Sequence, residues 1–154
     1  MSGRTAPQLP DRRRRYRLAL PGRAKLPFPA MDLTPVGPAG HQIIERYAAS
    51  GFRVSGVIHH GSVLVFPDRT MPWDVASASD VTLDALDPVI RHGEVEILLL
   101  GLGRSVPAVP AALRTALRAA RIALEPMETG AACRTYNVLV AEDRRVAAAL
   151  IPPS

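Results

Sequence analysis

Cysteine is almost missing from this chain: Cys133 stands alone in 154 residues. One thiol excludes an internal disulfide framework and any multi-cysteine metal site. Aromatic residues are scarce, at 5%. No apolar run reaches the roughly 18–20 residues that a membrane-spanning helix needs. The longest run lies around Val95 to Leu102, and Glu96 interrupts it. Lysine is nearly absent as well, because of 19 basic residues only Lys25 is not an arginine. With abundant alanine, that bias is the mark of a GC-rich bacterial gene. What remains is an ordinary globular balance, 47% hydrophobic and 21% charged, which excludes wholesale disorder. The length suits one domain and is short for two.

The net charge of +5 invites a nucleic-acid reading, but its distribution argues against one. Residues 1–29 hold eight basic side chains and one acid, leaving eleven basic and thirteen acidic residues for the rest, a balance of −2. The folded part thus has no basic surplus to attract phosphate. Pro7, Pro10, Pro21, Pro27 and Pro29 and an arginine run mark residues 1–30 as a disordered tail. A misassigned start fits the composition change at Met31, and a targeting segment or a binding arm are the competing readings. No apolar core suits a secretory signal. Residues 31–154 form the expected globular domain.

Ile43, Ile44 and Tyr47 have helical spacing, predicting a short helix over 41–50 that Gly51 stops. Residues 52–58 and 62–66 read as a β-hairpin turning at His60-Gly61. A short strand around Trp73 follows. Leu83, Leu86 and Ile90 mark a helix with Thr82 as N-cap and Gly93 after its end. The second half alternates β-α-β-α-β. A strand over 95–100 has almost no polar alternation, as expected when both faces are buried. A helix runs from Pro110 to about Ala120, with Leu113 and Leu117 inward and Arg114, Arg118 and Arg121 as a solvated basic face. A strand over 122–126, a helix capped by Thr129, and a strand over 146–151 complete the pattern. The expected fold is a three-layer α/β single domain with a central mixed sheet and an N-terminal hairpin that extends the sheet or covers it.

Few residues suggest chemistry. Gly101-Leu-Gly-Arg104 follows a buried strand and precedes a helix, where α/β sheets bind ligands. Two glycines admit a close ligand, and Arg104 offers a bidentate donor. The third glycine of a dinucleotide fingerprint and the Lys-Ser/Thr of a phosphate loop are missing, so a tight β-to-α connection needing positive φ is the simpler reading of the pattern. Cys133 beside Arg134 near a helix start is either a reactive thiol or a buried small hydrophobe. Arg134 and Asn137, three residues apart, could face the same mouth, or Asn137 could satisfy a neighbouring backbone group. Gly101, Gly103, Arg104, Cys133, Arg134 and Asn137 are therefore the candidate ligand-binding set, without a catalytic assignment. His41, His59, His60 and His92 lack metal-ligand spacing. Glu125 and Glu128 could act as acid and base, or sit solvated at a strand end. No cofactor is expected, and no reaction follows from the residues.

Three stretches carry a resemblance. They are Gly61-Ser-Val-Leu-Val-Phe-Pro-Asp68, Leu98-Leu-Leu-Gly-Leu-Gly-Arg104 and Met127-Glu-Thr-Gly-Ala-Ala-Cys-Arg-Thr-Tyr-Asn-Val-Leu139. In this order and spacing the chain resembles domain-of-unknown-function family 498 from about Met31 to Pro152. The resemblance implies a three-layer α/β domain and no established enzyme activity. A mitochondrial member of the family assembles respiratory complex I with partner proteins. The expectation is thus a cytoplasmic interaction module, an assembly or maturation factor whose partners are respiratory-complex subunits or other assembly factors. Peripheral membrane association is compatible with that role, and nucleic-acid binding is not expected. The alternative is a small-anion binder or enzyme using the glycine–arginine cleft.

Overall fold

A computed structural model of the chain describes Met31–Asp32 and Gly40–Ser154; the tail expected over residues 1–30 lies outside the described residues. Strand β1 (Met31–Asp32) pairs antiparallel with β2 (Ile44–Ala48), which pairs with β3 (Gly51–Val54), and β3 pairs with β4 (Val57–His60). The helix expected over 41–50 is therefore a strand. Its helical spacing has a specific source: the β2–β3 register shifts between Ile44 and Arg46. Such a bulge breaks strict alternation and lets the consecutive Ile43 and Ile44 both bury.

The expected hairpin also pairs differently. Its tight turn is Ser55-Gly56, with φ of 45° and 84°, the double positive φ favoured in two-residue hairpins. Beyond Gly61 the chain leaves this sheet. Strand β5 (Val63–Val65) joins a second sheet, pairing antiparallel with β6 (Thr70–Pro72) on one side. The pairing of residues 52–58 with 62–66 is thus corrected: the two stretches belong to different sheets.

A 3-10 turn (Asp84–Leu86) leads into helix α1 (Asp87–His92), and Gly93 ends it at φ 78°. Thr82 Oγ1 accepts the Ala85 N–H at 3.2 Å, but the cap position of the 3-10 turn is Leu83 and that of α1 is Leu86, so the expected N-cap lies just before both. Next come β7 (Ile97–Leu102), α2 (Ala111–Ala119), β8 (Ala123–Met127), α3 (Thr129–Ala141) and β9 (Val146–Ile151). The second sheet has the order β6-β5-β9-β7-β8, with β7 parallel to both β8 and β9 and β5 antiparallel to β9.

This order sets the layers. The step from β7 to β8 goes outward, and the step from β8 to β9 returns across β7. Crossovers of one hand then place α2 and α3 on opposite faces. Leu98, Leu100, Leu102, Ala147 and Ala149 pack on the α1–α2 side with Leu113, Leu117 and Trp73. Leu99, Ala148, Leu150, Val63 and Val65 pack on the other side with α3 and with Phe52 and Val54 of the first sheet. The mixed sheet is thus the middle of three layers. The N-terminal region both extends it, through β5 and β6, and covers it, through β2 and β3.

Helix α2 ends in a Schellman motif. The Ile122 N–H reaches Leu117 O at 2.9 Å and the Arg121 N–H reaches Arg118 O at 2.9 Å. The residue turning the chain is Arg121, at φ 62°. Glycine is the usual occupant, because a Cβ there costs about 1–2 kcal/mol.

Candidate functional site

The candidate residues surround the start of α3, and the structure gives each a definite neighbour. Gly101 lies inside β7. A Cβ added there would stand 2.9 Å from Leu150 Cδ2, 3.1 Å from Thr129 Cα and 3.2 Å from Ala132 Cβ. Its missing side chain is the space that α3 occupies. Gly103 has φ 86°, the turn conformation that glycine tolerates. Its N–H donates to Thr129 Oγ1 at 2.7 Å, and its carbonyl accepts the Thr129 N–H at 3.0 Å. Thr129 Oγ1 in turn donates to Ile151 O at 2.6 Å. The expected N-cap is therefore inside the helix, whose cap is Glu128. The Thr129 hydroxyl ties the ends of β7 and β9 to α3 instead.

Arg104 is exposed beyond this knot. Arg134 is exposed too, and its Nη1 donates to Tyr47 Oη at 3.4 Å. Tyr47 packs so closely over the start of α3 that a Cβ at Gly130 would lie 2.6 Å from its hydroxyl oxygen. Asn137 is turned toward β2 rather than toward the glycine loop. Its Oδ1 accepts the Ile44 N–H at 3.0 Å and its Nδ2 donates to Ile44 O at 2.8 Å. One amide thus satisfies both backbone groups of a residue beside the bulge, where the ladder is interrupted. Cys133 is fully buried. Burial pushes its thiol well above the ordinary value, outweighing the nearby Arg134 charge that lowers it. A thiol so placed is protonated and shielded, the opposite of a reactive one.

Glu125 and Glu128 are both exposed. Among the described residues no three His, Cys, Asp or Glu side chains gather as a metal site. His92 Nε2 lies 2.8 Å from Asp68 Oδ1, and its ring stacks on Phe66 at 4.7 Å between centroids. This contact ties α1 to the β5–β6 turn.

Two features escaped the sequence reading. The first is a buried pair in the first sheet. Arg53 is 1% exposed, with its Nε 3.8 Å from Glu45 Oε1. Glu45 also accepts the Gly56 N–H. Desolvation raises the Glu45 carboxyl above its ordinary value, against the lowering by that bond and by Arg53 and Arg46. The bulge conceals this pair in the sequence. The second feature is an open cavity of about 420 Å³ between α2 and β8, lined by Arg114, Arg118, Arg121, Glu96 and Glu125 over Ile122, Ala123 and Leu124. Its signal was present as a helix with arginines four and three residues apart and no acidic partner from Ala111 to Ala119.

Comparison with known proteins places the fold. The chain is 39% identical over 120 residues to an uncharacterised protein of Rhodobacter capsulatus, covering 75% of this chain and 89% of that one. It is 35% identical over 112 residues to NADH dehydrogenase [ubiquinone] 1 alpha subcomplex assembly factor 3 of Danio rerio, covering 72% of this chain and 64% of that protein. The match thus spans about two-thirds of that assembly factor's length. A crystal structure described as an outer membrane protein from Bartonella henselae superposes with a TM-score of 0.69 at 36% identity, covering 75% of this chain and 98% of that one. Among the described residues no helix is long and apolar enough to cross a membrane. Residues 44–151 match the model of the family described as Protein of unknown function (DUF498/DUF598), and the chain belongs to that family.

Proposed function

We propose that this chain is an assembly or maturation factor for a respiratory complex, acting in the cytoplasm by binding protein partners rather than by catalysis. The carrying observation is its 35% identity, over 72% of its length, to a complex I assembly factor. The geometry agrees with that reading. Two polar side chains of the α3 motif are engaged inside the fold: Thr129 with the ends of β7 and β9, and Asn137 with β2. An interaction module also needs a distinctive exposed patch, and the arginine-lined cavity beside α2 supplies one.

Deleting the gene in its host and resolving membrane complexes on native gels tests the role. The expected outcome is loss of assembled complex I with accumulation of subassemblies, restored by the full chain. Normal complex I in the deletion strain would overturn the proposal.

A further inference from the structure

The groove between α2 and β8 combines four properties. First, its cations are uncompensated. Among the described residues Arg118 and Arg121 make no ion pair or side-chain hydrogen bond, and Arg114 reaches only Leu124 O, at 3.4 Å. Of the two carboxylates in the walls, Glu96 lies 3.8 Å from Arg145, which leaves Glu125 against three guanidiniums. Second, the arginines run along the end of the helix and into the turn that follows it. Arg114 and Arg118 lie four residues apart on α2, the spacing that puts side chains on one helix face, and Arg121, in the turn just after the helix, lines the same cavity. Like charges at this spacing oppose helix formation, and no acidic residue relieves them from Ala111 to Ala119. Third, Arg121 occupies a left-handed position where glycine is favoured. Strain retained at such a position points to a use for the side chain. Fourth, the cavity holds about 420 Å³, room for several side chains.

The sheet edge beside the groove limits how an occupant binds. Strand β8 is the outer strand, and an outer strand ordinarily invites another to pair with it. Here Pro126 has no N–H, and the Leu124 carbonyl already accepts from Arg114. The edge is blunted, so recognition falls to the arginine side chains. Guanidiniums bind carboxylates through paired, geometrically matched hydrogen bonds. Glu96 and Glu125 in the same walls oppose phosphate and carboxylate alike, so it is the assembly-factor reading that selects a protein segment over a nucleic acid, which becomes an outcome of the test below.

Building on the assembly-factor reading, we propose that the α2–β8 groove is the docking site for an acidic segment of a partner protein, whose carboxylates are held by Arg114, Arg118 and Arg121 without strand addition.

The test is fluorescence anisotropy of the full chain with a labelled Glu/Asp-rich dodecapeptide, at low and at physiological salt. Arg118→Glu with Arg121→Glu is expected to weaken binding by at least about tenfold, with an unchanged circular dichroism spectrum and urea midpoint confirming the fold. Arg121→Gly is expected to weaken binding while the fold becomes more stable, a split that a structural role for Arg121 does not produce. Replacing Arg12–Arg15 by serine should leave the effect of the groove substitutions intact. The proposal is overturned if the peptide does not bind, if the groove substitutions leave affinity unchanged, or if Arg104→Glu with Arg134→Glu lowers it equally. It is also overturned if a single-stranded oligonucleotide of equal charge binds more tightly through the same arginines, or if the chain's own dimerisation is what the groove substitutions abolish. Normal complex I in the deletion strain would remove the assembly role and leave the peptide result to judge the groove. A deletion defect that the groove variant repairs would remove the groove and leave the role standing.

Discussion

Helices α2 and α3 cover opposite faces of one sheet, yet they spend their polar residues in opposite ways. Helix α3 is enclosed between the mixed sheet and the first sheet, with Thr129, Cys133, Tyr136 and Asn137 all buried. Its hydroxyl and amide groups are matched to backbone groups of β2, β7 and β9. Helix α2 buries only Leu113 and Leu117. Its arginines, Arg114 and Arg118, are exposed, and among the described residues their side chains make one long hydrogen bond, from Arg114 to Leu124 O. A distinctive sequence run can therefore mark a helix that the fold depends on, while the groups free to meet a partner lie on a plainer helix. The difference follows from burial: an unsatisfied polar group inside costs stability, whereas one at the surface costs little.

The sharpest way to test this contrast is through Cys133. Alkylation in the native protein should be slower than in the unfolded chain by about a thousandfold or more, since a closed fold exposes the thiol only on opening. Alkylation at the rate of a free thiol in the folded protein would mean that α3 is not enclosed. Next comes Asn137→Ala, which strands the Ile44 N–H and carbonyl. Urea unfolding should show a loss of about 2–4 kcal/mol. Gly101→Ala presses a methyl group against Leu150 and α3, and a loss of about 1–3 kcal/mol is expected by the same measurement.

On the α2 side the effects should be small or reversed. Arg121→Gly should raise stability by about 0.5–1 kcal/mol, because glycine accepts the left-handed turn at the cost of some unfolded-state freedom. A destabilised Arg121→Gly would show that this side chain supports the fold, and the contrast between the two helices would weaken.

The buried Glu45 adds a pH signature on the α3 side of the molecule. Its folded-state carboxyl lies above its ordinary value, chiefly through desolvation. The folded chain therefore binds that proton more tightly than the unfolded chain does. On this group alone, stability falls as pH rises from the unfolded value through the folded one, and the loss is complete above it. Urea midpoints across that window should decline with pH in the wild type relative to Glu45→Gln. Parallel profiles would show that Glu45 does not titrate differently in the two states.

The first half of the chain was harder to read than the second for a physical reason. Strands β7 and β9 are covered on both faces, so near-continuous apolar runs report them directly. The boundary of β7 still moved by two residues, because Gly101 and Leu102 continue the strand instead of opening the turn. In β2 the bulge at Glu45 imitates helical spacing. In the hairpin, Ser55-Gly56 was hidden inside what read as one strand, while His60-Gly61 marks a change of sheet. For the candidate residues, the chemistry of each side chain was visible and its direction was not. Asn137 and Ile44 are separated by 93 positions, and no local pattern links them.

By itself the sequence determined the alternating α/β second half, the turn at Gly103, the stop of α1 at Gly93, and the apolar stripe of α2. These depend on periodicity and on backbone freedom within a few residues, which are local properties. Only the tertiary structure decided that residues 41–50 form a strand, that the N-terminal region divides between two sheets, and that Gly101 makes room for α3. It also decided that Asn137 is engaged with Ile44 while, among the described residues, Arg118 and Arg121 have no ion pair or side-chain hydrogen bond. These outcomes depend on which distant backbone groups are left needing partners once the layers close.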